Sequence, residues 1–149
     1  MATKLFIDSD VVIDFFTDRE PHVNPSSELF DLNEKGEIKL YLSAVSINNI
    51  YYIIRKHLGH KKTLQVVEEL TDMIEIIGTT KKVVIQALKN DFKDFEDSIQ
   101  YASALTIEGI KVIITRNVKD YRNSEIAAMT PLNYLKMKED NESQSSRVR

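Results

Sequence analysis

The chain has 149 residues, and its 23 acidic and 20 basic side chains give a formal net charge of −3 at pH 7. A hydrophobic content of 42% with 29% charged residues excludes wholesale disorder and predicts a globular domain. The lack of cysteine excludes disulfides and thiolate metal sites, and no apolar run approaches the roughly 20 residues that cross a bilayer. We therefore expect a cytoplasmic protein without a membrane partner, whose net charge is unfavourable for wrapping nucleic acid.

Short apolar runs alternate with longer helical patterns along the chain, which is typical of an α/β fold with a mainly parallel sheet. In chain order the patterns predict strand 4–7, a helical segment 11–16, helix 26–35, strand 38–42, helices 43–58 and 62–73, strand 74–78, helices 81–89 and 94–108, strand 110–114, a short strand 127–129 and a last helix beginning at Pro131. These elements predict one domain over residues 1–137. Residues 138–149 (KEDNESQSSRVR) lack apolar side chains apart from one valine, so we expect a disordered tail.

Acidic side chains follow two of the predicted strands. Asp8 comes directly after the first strand, and the fourth strand runs into residues 115–121 (TRNVKDY). The helix before the fourth strand opens with residues 94–97 (DFED), so its N-terminus lies at the same sheet edge as the end of that strand. Because ligands bind beyond the carboxyl ends of strands in open parallel sheets, we expect Asp8, Asp97 and residues 117–120 to converge there.

Converging carboxylates need a proton or a cation between them. Two carboxylates about 4 Å apart repel by roughly 4 kcal/mol at an effective dielectric constant near 20. Oxygen ligands without His or Cys favour Mg²⁺ or Mn²⁺, and such a site polarises a phosphate and activates a water molecule. The pattern therefore predicts a metal-assisted hydrolase, with Arg116 beside the site as a phosphate contact.

Structural roles compete with this hypothesis for each acid taken alone. An aspartate between a strand and a helix is most often an N-cap, which is the alternative for Asp8 or Asp10. We interpret Asp94 and Glu96 as a cap and a first-turn acid. Asp97 differs because it borders the apolar stripe of its helix, where a charged residue is less easily explained by helix structure alone.

Five segments of the chain resemble the motifs of PIN-domain proteins in sequence and order. They cover residues 5–135 and read LFIDSDVVIDFF, LSAVSINNIYYIIRK, DFEDSIQYASA, IKVIITRNVKDY and TPLNYL. PIN-domain proteins are small metal-dependent ribonucleases, and many are the VapC-like toxins of bacterial toxin–antitoxin pairs. The resemblance implies a three-layer fold with a sheet of four to five strands between helices, Mg²⁺ or Mn²⁺ dependence, an RNA substrate, a homodimer and an antitoxin partner.

The same resemblance implies a set of metal ligands. Asp8 matches the family's first metal-binding aspartate, and Asp97 matches the central aspartate at a helix start. Asn117 and Asp120 fall where the family places its last acidic or amide ligand. We expect Asp8, Asp97 and Asp120 to act in catalysis as well.

The chain departs from the family pattern in its third predicted helix. The family has a glutamate six residues after the serine that opens this helix, and counting from Ser43 gives Asn49. An amide can ligate a metal or orient a water, so Asn49 stays in the expected catalytic set with one negative charge fewer. Ser9 and Arg116 are the expected substrate contacts.

Three functions remain open at this point. The leading hypothesis is metal-dependent hydrolysis of RNA phosphodiester bonds by a toxin. The first alternative, motivated by Asn49, is a degenerate PIN domain that binds RNA or a protein partner without cleavage. A weaker alternative is a haloacid-dehalogenase-like phosphatase, because residues 8–10 (DSD) resemble the opening Asp-x-Asp of that family, although the chain is short and lacks its later lysine motif.

Overall fold

A computed structural model describes residues 1–148, and the side chains through residue 145. The strands are β1 (Thr3–Ile7), β2 (Ile38–Ser43), β3 (Glu75–Ile77), β4 (Ile110–Ile114) and β5 (Ala127–Met129). The α-helices are α1 (Ser9–Phe16), α2 (Val23–Glu34), α3 (Ala44–Leu58), α4 (His60–Met73), α5 (Lys81–Lys89), α6 (Phe95–Leu105) and α7 (Pro131–Val148), and a 3₁₀ helix (Val118–Tyr121) follows β4. Within this described part, no helix combines the length and apolar character needed to cross a membrane.

All five strands lie in one parallel sheet with the order β3-β2-β1-β4-β5. The chain builds outward from β1 through β2 and β3, then returns to the other side of β1 with β4. The order therefore reverses between β1 and β4, and Ile7 is in register with Ile114 across this pair. In open parallel sheets the ligand crevice lies outside the carboxyl ends of the strands at such a reversal, which is where Asp8 and Thr115 follow their strands.

Helices cover both faces of the sheet. Successive side chains of a strand point to opposite faces, and along β1 Leu5 and Ile7 pack into a core that includes side chains of α1, α2, α3, α4 and α7. Phe6, between them, packs on the other face against Tyr101 and Ala104 of α6. The predicted three-layer α/β fold is confirmed, and its parallel strands are buried on both sides as such sheets require.

Two predicted boundaries differ from the structure. Helix α2 begins at Val23, so Pro25 lies in its first turn, where a backbone N–H has no partner within the helix and proline costs little. Helix α7 continues to Val148, although the composition predicts disorder from Lys138 onward. The ammonium of Lys138 lies 3.5 Å from a carboxylate oxygen of Glu37, so this part of the helix contacts the domain through charge rather than through apolar side chains.

Candidate active site

The carboxylate of Asp8 lies at the reversal point of the sheet and makes three hydrogen bonds. Its Oδ1 accepts from the Ser9 hydroxyl (3.3 Å), and its Oδ2 accepts from the hydroxyls of Thr115 (3.0 Å) and Tyr121 (3.3 Å). The residue is 6% exposed. Asp8 occupies the N-cap position of α1, but its side chain makes no capping hydrogen bond. The capping alternative therefore does not explain this carboxylate, which the sheet edge holds in place instead.

Tyr121 and Thr115 are site residues that the sequence analysis did not identify. Burial, followed by the negative charge of Asp8, raises the pKa of Tyr121 above its ordinary value. The phenol therefore keeps its proton and stays a donor to Asp8. Thr115 directly follows the apolar strand β4, and this local pattern does not predict its hydrogen bond to Asp8, because Asp8 is 107 residues away in the chain.

Asp10, in the first turn of α1, makes hydrogen bonds to the segment after β4. Its Oδ2 accepts hydrogen bonds from the backbone N–H of Arg116 (3.1 Å) and from the side chains of Thr115 (3.4 Å) and Asn117 (3.5 Å). Burial, and next the charge of Asp8, raises the pKa of Asp10 to about 7. Its Oδ1 is buried without a partner among the described residues. The side-chain amide of Asn117, a predicted metal ligand, therefore lies against Asp10.

The opening turn of α6 brings Asp97 toward Asp8 and Asp120. Asp94 is the N-cap, as interpreted from the sequence, because its carboxylate accepts from the backbone N–H of Asp97 at 3.1 Å. Burial raises the pKa of Asp97 to about 7, with further contributions from the charges of Asp8, Asp94, Asp120 and Glu96. Asp8 and Asp120 therefore lie close enough to Asp97 for their charges to act on it, and the catalytic and metal-binding roles of the three residues remain predictions.

Glu96 belongs to the same group, although the sequence suggests only a first-turn acid. Burial, followed by the charges of Asp8 and Asp94, raises the pKa of the Glu96 carboxyl. Its Oε1 is buried and has no hydrogen-bond partner in the described part of the chain. A carboxylate oxygen in this position is available to a cation or to a water bound to one.

Asn49 reaches Asp8 through a serine. Its amide nitrogen lies 3.4 Å from the hydroxyl oxygen of Ser9, which in turn donates to Asp8. Ser43 opens α3, the helix that carries Asn49, by accepting a hydrogen bond from the backbone N–H of Val45. Both Asn49 and Ser9 are therefore beside the predicted centre, with the serine hydroxyl engaged by Asp8.

Arg116 is directed toward a buried acid. Its Nε lies 2.7 Å from Oδ2 of Asp14, whose side chain is 1% exposed. Burial raises the pKa of Asp14, and the charge of Arg116 opposes that rise. The predicted phosphate contact of Arg116 is therefore in competition with an internal ion pair that the sequence analysis did not anticipate.

The donor set of this site fits a hard divalent cation. Every candidate ligand supplies oxygen, and the unpartnered oxygens of Asp10 and Glu96 are acceptors without donors. No three acidic or histidine side chains in the described residues are grouped into a ready-made metal cage. Mg²⁺ usually keeps several waters and takes one or two carboxylates, so the residues suit a cation held by Asp8 and Asp97 with water rather than one enclosed by protein.

Comparisons with known proteins identify the family of the chain. The family model described as PIN domain matches residues 4–119. Ribonuclease VapC1 of Aquifex aeolicus (strain VF5) is 30% identical over 134 residues, which is 87% of this chain and 91% of that protein. VapBC2 from Rickettsia felis, bound to a promoter DNA fragment, has a TM-score of 0.66 at 12% identity and covers 86% of this chain and 98% of its own. A toxin–antitoxin complex from Klebsiella pneumoniae has a TM-score of 0.63 at 19% identity, and the match covers 85% of this chain and 97% of the Klebsiella chain. The chain belongs to the PIN-domain family.

Proposed function

We propose that this PIN-domain protein is a metal-dependent endoribonuclease and the toxin of a toxin–antitoxin pair. The observation that carries the proposal is that Asp97 and Asp120 line one cavity and that the charges of Asp8 and Asp120 both raise the pKa of Asp97. A divalent cation would offset this repulsion. The relative with 30% identity over most of the chain is named a ribonuclease, which supports RNA as the substrate.

Asp8 and Asp97 would hold Mg²⁺ or Mn²⁺, with Asp120 or Asn117 completing the set directly or through water. When bound, such an ion polarises a phosphate oxygen and lowers the pKa of a bound water. The protein's own side chains orient the carboxylates that would hold the ion. The hydroxyls of Thr115 and Tyr121 hold one oxygen of Asp8 in place.

The opening turn of α6 orients the second carboxylate. Asp94 caps the helix through the N–H of Asp97, which fixes the backbone that carries this acid. With a pKa of about 7, the Asp97 carboxyl holds a proton about half of the time at neutral pH when no cation is present. Because a metal-binding carboxylate must be deprotonated, Asp97 would give up this fraction of a proton on holding a cation.

The partners follow from the same proposal. A toxin–antitoxin complex among the similar structures supports an antitoxin protein as a partner of this chain. A homodimer is a further expectation from the family resemblance, and a cytoplasmic location is one from the composition. Size-exclusion chromatography with light scattering would decide the oligomeric state.

One observation favours the alternative of a degenerate PIN domain. Asn49 places an amide where the family pattern has a carboxylate, and its nitrogen is engaged with Ser9. A domain with this change would bind RNA or a protein partner without cleaving. The phosphatase alternative is no longer needed, because the PIN-domain match includes the segment on which it was based.

The proposed function is tested with purified protein, single-stranded RNA and Mn²⁺. The wild-type chain should cleave, and Asp97→Asn should abolish cleavage while the far-ultraviolet circular dichroism stays unchanged. Glu69→Gln, at an exposed position of α4, is the control and should keep activity. Undiminished cleavage by Asp97→Asn would show the assignment to be wrong. RNA binding without cleavage at saturating Mn²⁺ would favour the degenerate domain.

A further inference from the structure

A cavity of about 330 Å³ opens beside the carboxylates of Asp97 and Asp120. It lies between the segment that leads into α6 and the 3₁₀ helix that follows β4. Its volume falls at the lower end of the range of about 300–1,000 Å³ found for small-molecule sites. Two residues of the proposed metal centre, Asp97 and Asp120, line this space, which suits one small building block of a polymer rather than a large ligand.

Three cations line this cavity, and two of them come from the 3₁₀ helix and the residue that directly follows it. The backbone N–H of Arg122 donates to the carbonyl of Lys119 at 3.3 Å, so these residues are one 3₁₀ turn apart. Side chains at i and i+3 of a 3₁₀ helix lie on the same side, which places both on the cavity. Lys93 supplies the third cation from the opposite wall. None of the three forms an ion pair within residues 1–145.

The two walls are joined to each other and carry an aromatic ring. The side-chain amide of Asn123 donates to the backbone carbonyl of Asp91 at 2.6 Å, which links the segment after the 3₁₀ helix to the segment before α6. The ring of Phe92 lines the cavity and stacks on Tyr101 with centroids 5.1 Å apart. The aromatic surface is therefore already ordered, and a ligand that contacts it does not have to immobilise it.

The charge balance of the cavity depends on the neighbouring metal centre. Four carboxylates share the lining with the three cations, and two of these carboxylates belong to Asp97 and Asp120. A phosphate group gains little from such a lining when no cation is bound. Once a divalent cation compensates Asp97 and Asp120, the lysines and the arginine are left to attract an anion.

We propose that this cavity binds the nucleotide next to the scissile phosphate of a single-stranded RNA. Its phosphate contacts Lys93, Lys119 and Arg122, and its base or ribose lies against Phe92. Single strands are favoured because an unpaired base can contact an aromatic side chain, whereas a paired base in a duplex cannot. This inference rests on the proposed ribonuclease function and adds the path that the substrate takes beyond the metal.

The double variant Lys119→Ala/Arg122→Ala tests the proposal. Both side chains are exposed, so the fold should be unaffected. We expect the KM for a single-stranded RNA to rise about tenfold with little change in kcat, since two charge-assisted contacts are lost. The slope of log(kcat/KM) against log salt concentration should become shallower by up to about 0.7, because the neutralisation of one phosphate of a single strand is weakened. Mn²⁺ affinity, measured by calorimetry, should stay at the wild-type value.

The matched control is Lys61→Ala/Lys62→Ala, which removes two exposed cations at the start of α4. An unchanged KM and salt slope in the Lys119/Arg122 variant, or an equal effect in the control, would overturn the cavity proposal and leave the proposed function standing. If the wild-type chain cleaves no RNA, the proposed function fails and the cavity is tested by fluorescence anisotropy of a labelled single-stranded RNA with Mn²⁺. Weaker binding by the Lys119/Arg122 variant alone would then support the cavity as an RNA site, and equal binding would reject it.

Discussion

The Nε atom of Arg116 lies 2.7 Å from Oδ2 of Asp14, so the first cation after β4 is paired with an acid on the buried side of α1. Asp14 has a side chain that is 1% exposed, against 24% for Arg116. This ion pair and the hydrogen bond from the Arg116 N–H to Asp10 attach the same segment to the same helix. The loop that carries Asn117 and Asp120 is therefore held to α1 by the buried Asp14 and the partly buried Asp10.

Replacing Arg116 should destabilise the fold. In Arg116→Met the buried Asp14 loses its cation, and removing one partner of a buried pair costs about 3 kcal/mol of unfolding free energy. The loss should grow with pH, because the pKa of Asp14 is already raised by burial and a higher pH favours its ionised form. Urea denaturation of the metal-free protein measures the change, with the exposed Lys56→Met as the control.

A second variant separates this role from contact with substrate. Adding Asp14→Leu to Arg116→Met removes both charges and should recover much of the lost stability, since apolar replacements of a whole buried pair are often tolerated. A normal urea midpoint for Arg116→Met together with a raised KM for RNA would instead establish Arg116 as a phosphate contact.

Restoring a carboxylate in α3 should strengthen metal binding. Asn49→Glu adds a negative charge next to Ser9 and Asp8, and we expect Mn²⁺ to bind about tenfold more tightly, the lower end of the range for changes around metal ligands. The neighbouring Asn48 is exposed, so Asn48→Glu adds the same charge on a different side of the helix and serves as the control. Equal Mn²⁺ affinities for Asn49→Glu and the wild type would show that position 49 only supports Ser9.

Glu96 should contribute to the same cation. Its buried Oε1 has no partner among the described residues, and Asp8 is one of the charges that raise its pKa. Glu96→Gln should therefore weaken Mn²⁺ binding about tenfold in calorimetry, whereas Glu69→Gln, at an exposed position of α4, should leave it unchanged. Recovery of affinity on adding Asn49→Glu would show that the two positions serve one cation, and full affinity in Glu96→Gln would remove this residue from the site.

The stability of the metal-free protein should fall as the pH rises toward 7. The pKa values of Asp10 and Asp97 are raised from 3.8 to about 7, in both cases first by burial and then by the charge of Asp8. Between these values the folded state keeps protons that the unfolded chain has released, so the unfolding free energy decreases with pH and levels off above about pH 7. Urea titrations in EDTA from about pH 5 to about pH 8 measure this slope.

Two asparagine substitutions identify the groups responsible for that slope. Asp10→Asn keeps an oxygen that can accept from the Arg116 N–H, and Asp97→Asn leaves the Asp94 cap in place. Each substitution should remove part of the decline, and the double variant should show the flattest profile. A metal-free wild-type protein that gains stability over the same pH range would contradict the assignment of these two groups.

Local patterns were sufficient to predict the strands and their parallel arrangement. The apolar run of β1 and its abrupt end at Asp8 are neighbours in sequence, and so are the Asp94 cap and the helix that it opens. The last helix shows the limit of this reasoning. Composition predicts disorder after Lys138, while the structure continues the helix to Val148 because it grows from a packed first turn at Pro131 and contacts Glu37.

By itself the sequence determined that acids would meet at one edge of a parallel sheet, since strand ends and helix starts are local features whose edge is set by topology. Only the tertiary structure decided which acids do structural work. Asp14 is paired with Arg116, and Asp10 anchors the segment after β4. The physical reason is distance along the chain: hydrogen bonds and charge repulsion between residues about one hundred positions apart depend on packing that no local pattern encodes.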